Sequence, residues 1–237
     1  MNTIYKLLNQ SNIPMDAIEP LFRIVKGLKD DEKVSYKHRI DLAKEINDEI
    51  SYLGSNDFAY GFRKLFKSSE EAGVPYEEIV QDVSEKMGVG FSKKISIAEN
   101  ERRILTEHIK KTWGKLSDDQ KSKAISQIDG SDNFIDNMGN IDTQKLFDIA
   151  KSADEIYNSV SMILTATGYY LLPGVVAAAG FIGGRVLAPR LIGATLGPVA
   201  WAASGVWLAV DIAGPGYRKL IPAVIYITLL RLKYGKQ

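Results

Sequence analysis

The chain has 237 residues, 45% of them hydrophobic and 25% charged, an ordinary globular balance that excludes a disordered chain and a polytopic transporter. With no cysteine, it can form neither disulfides nor thiolate metal sites and has no cysteine nucleophile. The formal net charge of +1 hides a split: from Ile156 onward Arg185, Arg190, Arg218, Lys219, Arg231, Lys233 and Lys236 face one acid, Asp211, so a basic, apolar tail follows an acidic body.

Met1 to Asn12 lacks a basic stretch followed by an apolar core and a small-residue cleavage site, so no secretory signal is expected and residence is expected in the cytoplasm. Ile4, Leu7 and Leu8, then Ile18, Leu21, Phe22 and Val25, have the three-and-four spacing of amphipathic helices, with Pro14 separating two short ones before Gly27. Asp30 to Leu53 is expected to be a surface helix buried along Ile40, Leu42, Ala43, Ile46, Ile50 and Leu53, closed by Gly54.

Asp57 to Phe66 carries Phe58, Phe62, Leu65 and Phe66 on one side, and a turn around Gly73 to Pro75 leads into a helix over Tyr76 to Met87. Ser96 to Trp113 predicts another, striped by Ile97, Ile104, Leu105 and Ile109. Ser117 is placed to cap a helix over Asp118 to Ile128, with acids in the first turn that complement the helix dipole. After a polar loop from Gly130 to Gly139, Thr143 to Tyr157 restarts a helix on Leu146, Phe147, Ile149 and Ala150. No stretch sustains β alternation, so the expected fold is all-α. It divides into a short N-terminal helical module (1–28), an acidic helical domain (29–155) and an apolar, basic, glycine-rich region (156–237) ending in a short C-terminal helix.

That last region carries the strongest signal. No charge occurs between Glu155 and Arg185 or between Arg190 and Asp211, about 29 and about 20 residues, each reaching the length a membrane-crossing helix needs. Glycines and prolines interrupt both runs and are tolerated in lipid more readily than in a water-exposed helix. Gly180 with Gly184 and Gly193 with Gly197 have the four-residue spacing that lets helix backbones approach closely, within a hairpin or between copies of the chain.

Trp201 and Trp207 lie inside the second run rather than at its ends, where an aromatic belt would sit. Leu220 to Leu230 is too short to span, and suits either the membrane interface or a core helix. Arg185, Arg190, Arg218, Lys219, Arg231 and Lys233 are candidates to face anionic lipid, a better fit to this apolar tail than a nucleic-acid footprint. Asp211 is costly in an apolar run unless paired; Arg218 is its candidate partner, and the alternative is a helix end at the water boundary. Three readings stay open for the tail: a constitutive span, a peripheral or soluble-to-membrane state, and a hairpin buried in a soluble bundle.

No chemistry of an enzyme emerges. His38 and His108 have no partners at ligand spacing and read as exposed helix residues. No nucleophile elbow or phosphate loop occurs. The pairs within Asp30 to Glu32, Glu70 with Glu71, and Glu77 with Glu78 read as solvated helix starts. The Asp129 to Asp136 loop lacks the alternating acids and closing Glu of a calcium loop. Neither metal nor cofactor is expected.

Gly216 to Val224, reading Gly-Tyr-Arg-Lys-Leu-Ile-Pro-Ala-Val, continuing through Leu230 and Arg231, resembles the close of the uncharacterised bacterial YaaW-like proteins. Tyr76 to Met87, with Ile79, Asp82, Val83 and Ser84, and Leu105 to Leu116, with Thr112 and Trp113, resemble further helices of that family. The resemblance implies an all-helical, non-enzymatic protein. Through a looser grouping with assembly chaperones of the ubiquinol–cytochrome c reductase complex, it also implies a client-binding role. From the apolar, basic tail, the expected function is association with, or insertion into, the bacterial inner membrane, as a pore-forming or membrane-perturbing protein. The alternative is a soluble chaperone for an apolar client helix.

Overall fold

In the computed structural model of the protein, the residues described are 3–28, 32, 34–36, 38–55, 74–126, 134–136, 138–149, 153–166 and 216–235. They form nine α-helices and, among the described residues, no strand beyond an isolated antiparallel bridge between Ile135 and Ile141. The all-α expectation holds for this part of the chain.

Helices α1 (Thr3–Leu8) and α2 (Met15–Lys26) are separated at Pro14, which stands in extended conformation before α2. Gly27, at φ 72°, closes α2 by turning the backbone into the left-handed region, and its N–H returns to Arg23 O and Ile24 O. Helix α3 (Arg39–Leu53) begins nine residues after the expected start, because residues 34–36 and 38 are not helical. Ile40, expected on its buried stripe, is 60% exposed, while Leu42, Ala43, Ile46 and Ile50 are buried. The stretch from Asp57 to Phe66 lies outside the described residues, as do the acids of Asp30 with Asp31 and Glu70 with Glu71.

Helices α4 (Tyr76–Met87) and α5 (Ile97–Trp113) match their expected limits. Glu77 and Glu78 occupy the first turn of α4, and Ser96 caps α5 by accepting from Glu99 N. Helix α6 (Asp118–Ile125) opens on a reciprocal cap in which Ser117 accepts from Gln120 N and the Gln120 side chain accepts from Ser117 N. The expected helix from Thr143 to Tyr157 is two helices, α7 (Thr143–Ile149) and α8 (Ala153–Ala166), and α8 runs through the expected domain boundary.

The C-terminal helix α9 (Tyr217–Tyr234) takes the core option: every residue from Leu220 to Leu230 is buried. It packs on α2, α3, α4, α5 and α8, and side chains from all three expected segments join one apolar cluster. Burial on every side explains why α9 reads as a continuous apolar run rather than a stripe. No helix among the described residues is long and apolar enough to cross a membrane.

Candidate functional site

Helix α9 organises the site, because it follows the charge-poor segment in sequence and packs on five other helices of the body. Asp154 of α8 lies near Tyr234, whereas Tyr157, one turn further along α8, lies near Tyr226 and under the Lys233 ammonium. Tyr157 also lies beside Tyr234, so α8 packs against the C-terminal half of α9. The chain leaves α8 at Ala166 and enters α9 at Tyr217, two helices that pack against each other.

The start of α9 is seated on the C-terminal ends of three other helices. A methyl group at Gly216 would lie 2.9 Å from Leu53 O at the end of α3, so only glycine permits this approach. Tyr217 lies beside Asp82 and Glu85 of α4, and the Lys86 ammonium stands 5.3 Å from its ring centre. Lys219 Nζ donates to Lys26 O at 3.2 Å, in the last turn of α2. Terminal carbonyls have no intrahelical partner and carry the negative end of the helix dipole, so a cation stabilises them.

The other end of α9 holds a buried polar cluster. Arg231 Nε lies 2.8 Å from Glu101 Oε2; the Glu101 side chain is fully buried on α5 and that of Arg231 is 20% exposed. Neither carboxylate oxygen makes a directed hydrogen bond, nor does the Arg231 Nε–H or the buried Tyr76 hydroxyl from α4. Burial pushes the Glu101 carboxyl up to about 7, with Arg231 and the nearby Tyr76 pulling the other way. Tyr76 is held well above its ordinary range by burial and by the neighbouring Glu101. Two turns along α5, burial and then the Lys115 and Lys111 charges lower His108 to about 4, so it is neutral near neutrality.

Several sequence expectations change here. Arg231 points into the body towards Glu101, drawn by the opposite charge, rather than towards lipid. Lys219 is engaged at the end of α2, and Lys233 lies 4.4 Å from the Tyr157 ring centre and 5.4 Å from that of Tyr234. Arg218 is exposed at the start of α9. Gly180, Gly184, Arg185, Arg190, Gly193, Gly197, Trp201, Trp207 and Asp211 lie outside the described residues, and with them the proposed Asp211–Arg218 pair. His38 is exposed before α3, but His108 is buried.

Among the described residues no group of three His, Cys, Asp or Glu side chains is placed to hold a metal ion. A hollow of about 310 Å³ along α5 and α7 is lined by Glu99, Arg102, Arg103 and Phe147 among others. Its Arg102 is already paired with Glu99 and lies over Phe147. Glu101 and Tyr76 escaped sequence reasoning as site residues, although a signal existed. Glu101 and His108 fall at positions 97 + 4 and 104 + 4, within the apolar stripe of α5, where an ionisable residue is out of pattern.

A UPF0174 protein of Helicobacter pylori strain J99 is 30% identical to the chain over 227 residues, covering 90% of this chain and 85% of the relative. Another, from Helicobacter pylori strain 26695, is 26% identical over 202 residues, or 80% of this chain and 88% of the relative. The UPF0174 protein YaaW of Escherichia coli K12 is 27% identical over 186 residues, 78% of this chain and 69% of the relative. These relatives bear out the YaaW-like resemblance, while the looser grouping with ubiquinol–cytochrome c reductase chaperones is not shown. No protein-family model matches the chain, and no solved structure does.

Proposed function

The chain belongs to the UPF0174 family, and from that premise we propose that it is a non-enzymatic helical protein that associates with the bacterial inner membrane through its charge-poor, glycine-rich segment. The observation that carries this reading is the anchoring on either side of residues 167–215. Helices α8 and α9 pack against each other in one core, so the folded body holds the chain on both sides of the segment. The segment itself contains only Arg185, Arg190 and Asp211 as charged residues, and its apolar surface supplies the driving force for meeting lipid.

Arg185 and Arg190 lie between the two uncharged runs and add attraction to anionic headgroups, about 1 kcal/mol for each basic residue near the surface. Arg218 extends this basic character at the exposed start of α9. Lys219, Arg231 and Lys233 also contact the body, at Lys26 O, Glu101 and the Tyr157 ring. The small-residue pairs Gly180 with Gly184 and Gly193 with Gly197 suit helix contact within the segment or between copies.

Vesicle flotation of the full chain tests the reading. Co-flotation with anionic vesicles is expected, weakened by salt and by the Arg185→Gln and Arg190→Gln changes together, and less with zwitterionic vesicles. A chain that stays with the aqueous fraction at every salt concentration overturns the proposal. Recovery of a membrane subunit on the non-floating chain would instead favour the chaperone reading.

A further inference from the structure

We propose that the Glu101–Arg231 contact is a register key: it fixes the rotation and axial position of α9 in the body, because any other placement of that helix leaves a buried carboxylate unpaired. The key governs how the body assembles and stands apart from lipid binding.

Helix α9 needs such a device because its apolar pattern selects no face. Every residue from Leu220 to Leu230 is buried, and a helix that is apolar all round can turn or slide in its groove without exposing more hydrocarbon. A slide of about one turn exchanges aliphatic residues for one another, Val224 for Ile227 or Ile221 for Ile225. Such swaps are tolerated when volume is roughly kept. Tyr226 and Lys219 donate to Ala17 O and Lys26 O, but carbonyls recur at every residue of the backbone and discriminate poorly between registers. Gly216 adds a steric fit against Leu53 O at the start of α9. That fit limits how closely this end approaches α3 without choosing what faces α5 at the other end.

The charge pair, by contrast, can form in one place. Among the described residues Glu101 is the one buried acid, and Arg231 Nε stands 2.8 Å from its Oε2. Both carboxylate oxygens and the Nε and Nη2 of Arg231 are shut off from solvent, so these atoms cannot turn to water instead. If α9 slides by one turn, Ile227, Thr228, Tyr234 or Gly235 takes the place of Arg231 opposite Glu101. None of them is a cation. A buried ion pair adds little net stability over an apolar pair of similar size, because both charges lose their hydration, whereas withdrawing one partner is strongly destabilising. Each wrong register is therefore disfavoured by at least about a hundredfold. The pair acts on the choice among placements rather than on the strength of the fold.

Spin-label distances read the register. The chain has no cysteine, and Ala98, one turn before Glu101 on α5, and Arg218, at the opposite end of α9 from Arg231, are both exposed. The line joining labels at A98C and R218C follows α9, and a slide of one turn changes its length by up to about 5 Å. At pH 8, above the value to which burial raises the Glu101 carboxyl, the labelled chain should give one distance. Glu101→Leu combined with Arg231→Met should keep the urea midpoint at or above that of the labelled parent, yet split the distance into two resolved populations. Arg231→Met alone should lower the folding equilibrium constant by about a hundredfold or more.

Glu101→Gln combined with Arg231→Gln removes both charges while keeping polar side chains, and gives the same readout if the apolar pair does not fold. A single distance equal to the parent's in whichever neutral pair folds would overturn the key. So would a neutral pair as unstable as Arg231→Met alone, or failure of both neutral pairs to fold, since the contact would then hold the fold together rather than choose its register. None of these measurements contains lipid, so their failure leaves the flotation result standing, and the reverse holds too.

Discussion

Single residues at the joint between α9 and the body have steric and polar requirements that can be tested separately. Gly216 has an ordinary helical φ of −63°, so its need for glycine comes from space: an added methyl would sit 2.9 Å from a backbone oxygen that cannot rotate away. Gly216→Ala should therefore cost about 1–3 kcal/mol, the usual range for overpacking, seen as a lower urea midpoint at unchanged slope. Gly90 makes an informative contrast, since a methyl there would meet nothing within 4 Å. Tyr226 tests the polar side. Its buried hydroxyl donates to Ala17 O at 2.8 Å, fastening α9 to α2, and Tyr226→Phe would remove that bond. The expected loss is about 1–2 kcal/mol in the same denaturation measurement.

At the scale of helices, what the sequence made legible depended on whether a signal was local. Tyr76–Met87 was readable because Glu77 and Glu78 favour its start and Gly88, at φ 73°, closes it. Ser117 was readable as a cap for the same reason, since a cap acts within one turn, whereas Ser96, expected as the first helical residue, is itself the cap of α5. The late start of α3 was not: Ile40 continues the apolar spacing but is exposed, and spacing alone does not reveal which apolar residues find a partner.

Long-range caps were equally hidden. Arg39 Nη1 donates to Leu8 O, Gln10 O and Ile13 O, satisfying carbonyls at and beyond the end of α1 from a position 26 to 31 residues away. Lys111 Nζ does the same for Met87 O at the end of α4, at 2.6 Å. Because α1 has only six residues, too few to hold together unaided, Arg39→Met should destabilise the chain by about 2 kcal/mol and raise amide exchange in α1 before α5. Equal exchange in both helices would show that Arg39 does not serve as the local cap of α1.

At the scale of the molecule, the core is closed by a helix that comes last in sequence and touches helices from every earlier segment. The split into modules suggested by charge therefore does not describe the core, because charge reports surfaces whereas α9 is defined by what surrounds it. The same closure places two buried ionisable groups on α5 whose effects on stability oppose each other. Glu101 is raised from 4.5 to about 7. The folded chain then binds its proton more tightly than the unfolded chain, and this contribution is fully present below about pH 4.5 and lost as pH rises through about 7.

His108 is lowered from 6.5 to about 4. The unfolded chain binds that proton more tightly, so its contribution is present above about pH 6.5 and lost as pH falls through about 4. Each shift corresponds to about 3 kcal/mol across its window, and the windows overlap, so together they change unfolding free energy little between about pH 4.5 and pH 6.5. Substitution should separate them. The difference in urea-unfolding free energy between the native chain and Glu101→Gln should grow in favour of the native chain as pH falls from 7 to 4.5. The corresponding difference for His108→Gln should grow in favour of the variant as pH falls from 6.5 to 4. Two differences with the same sign of slope would show that one of these side chains does not sit in the environment assigned to it, and the sign common to both would identify which.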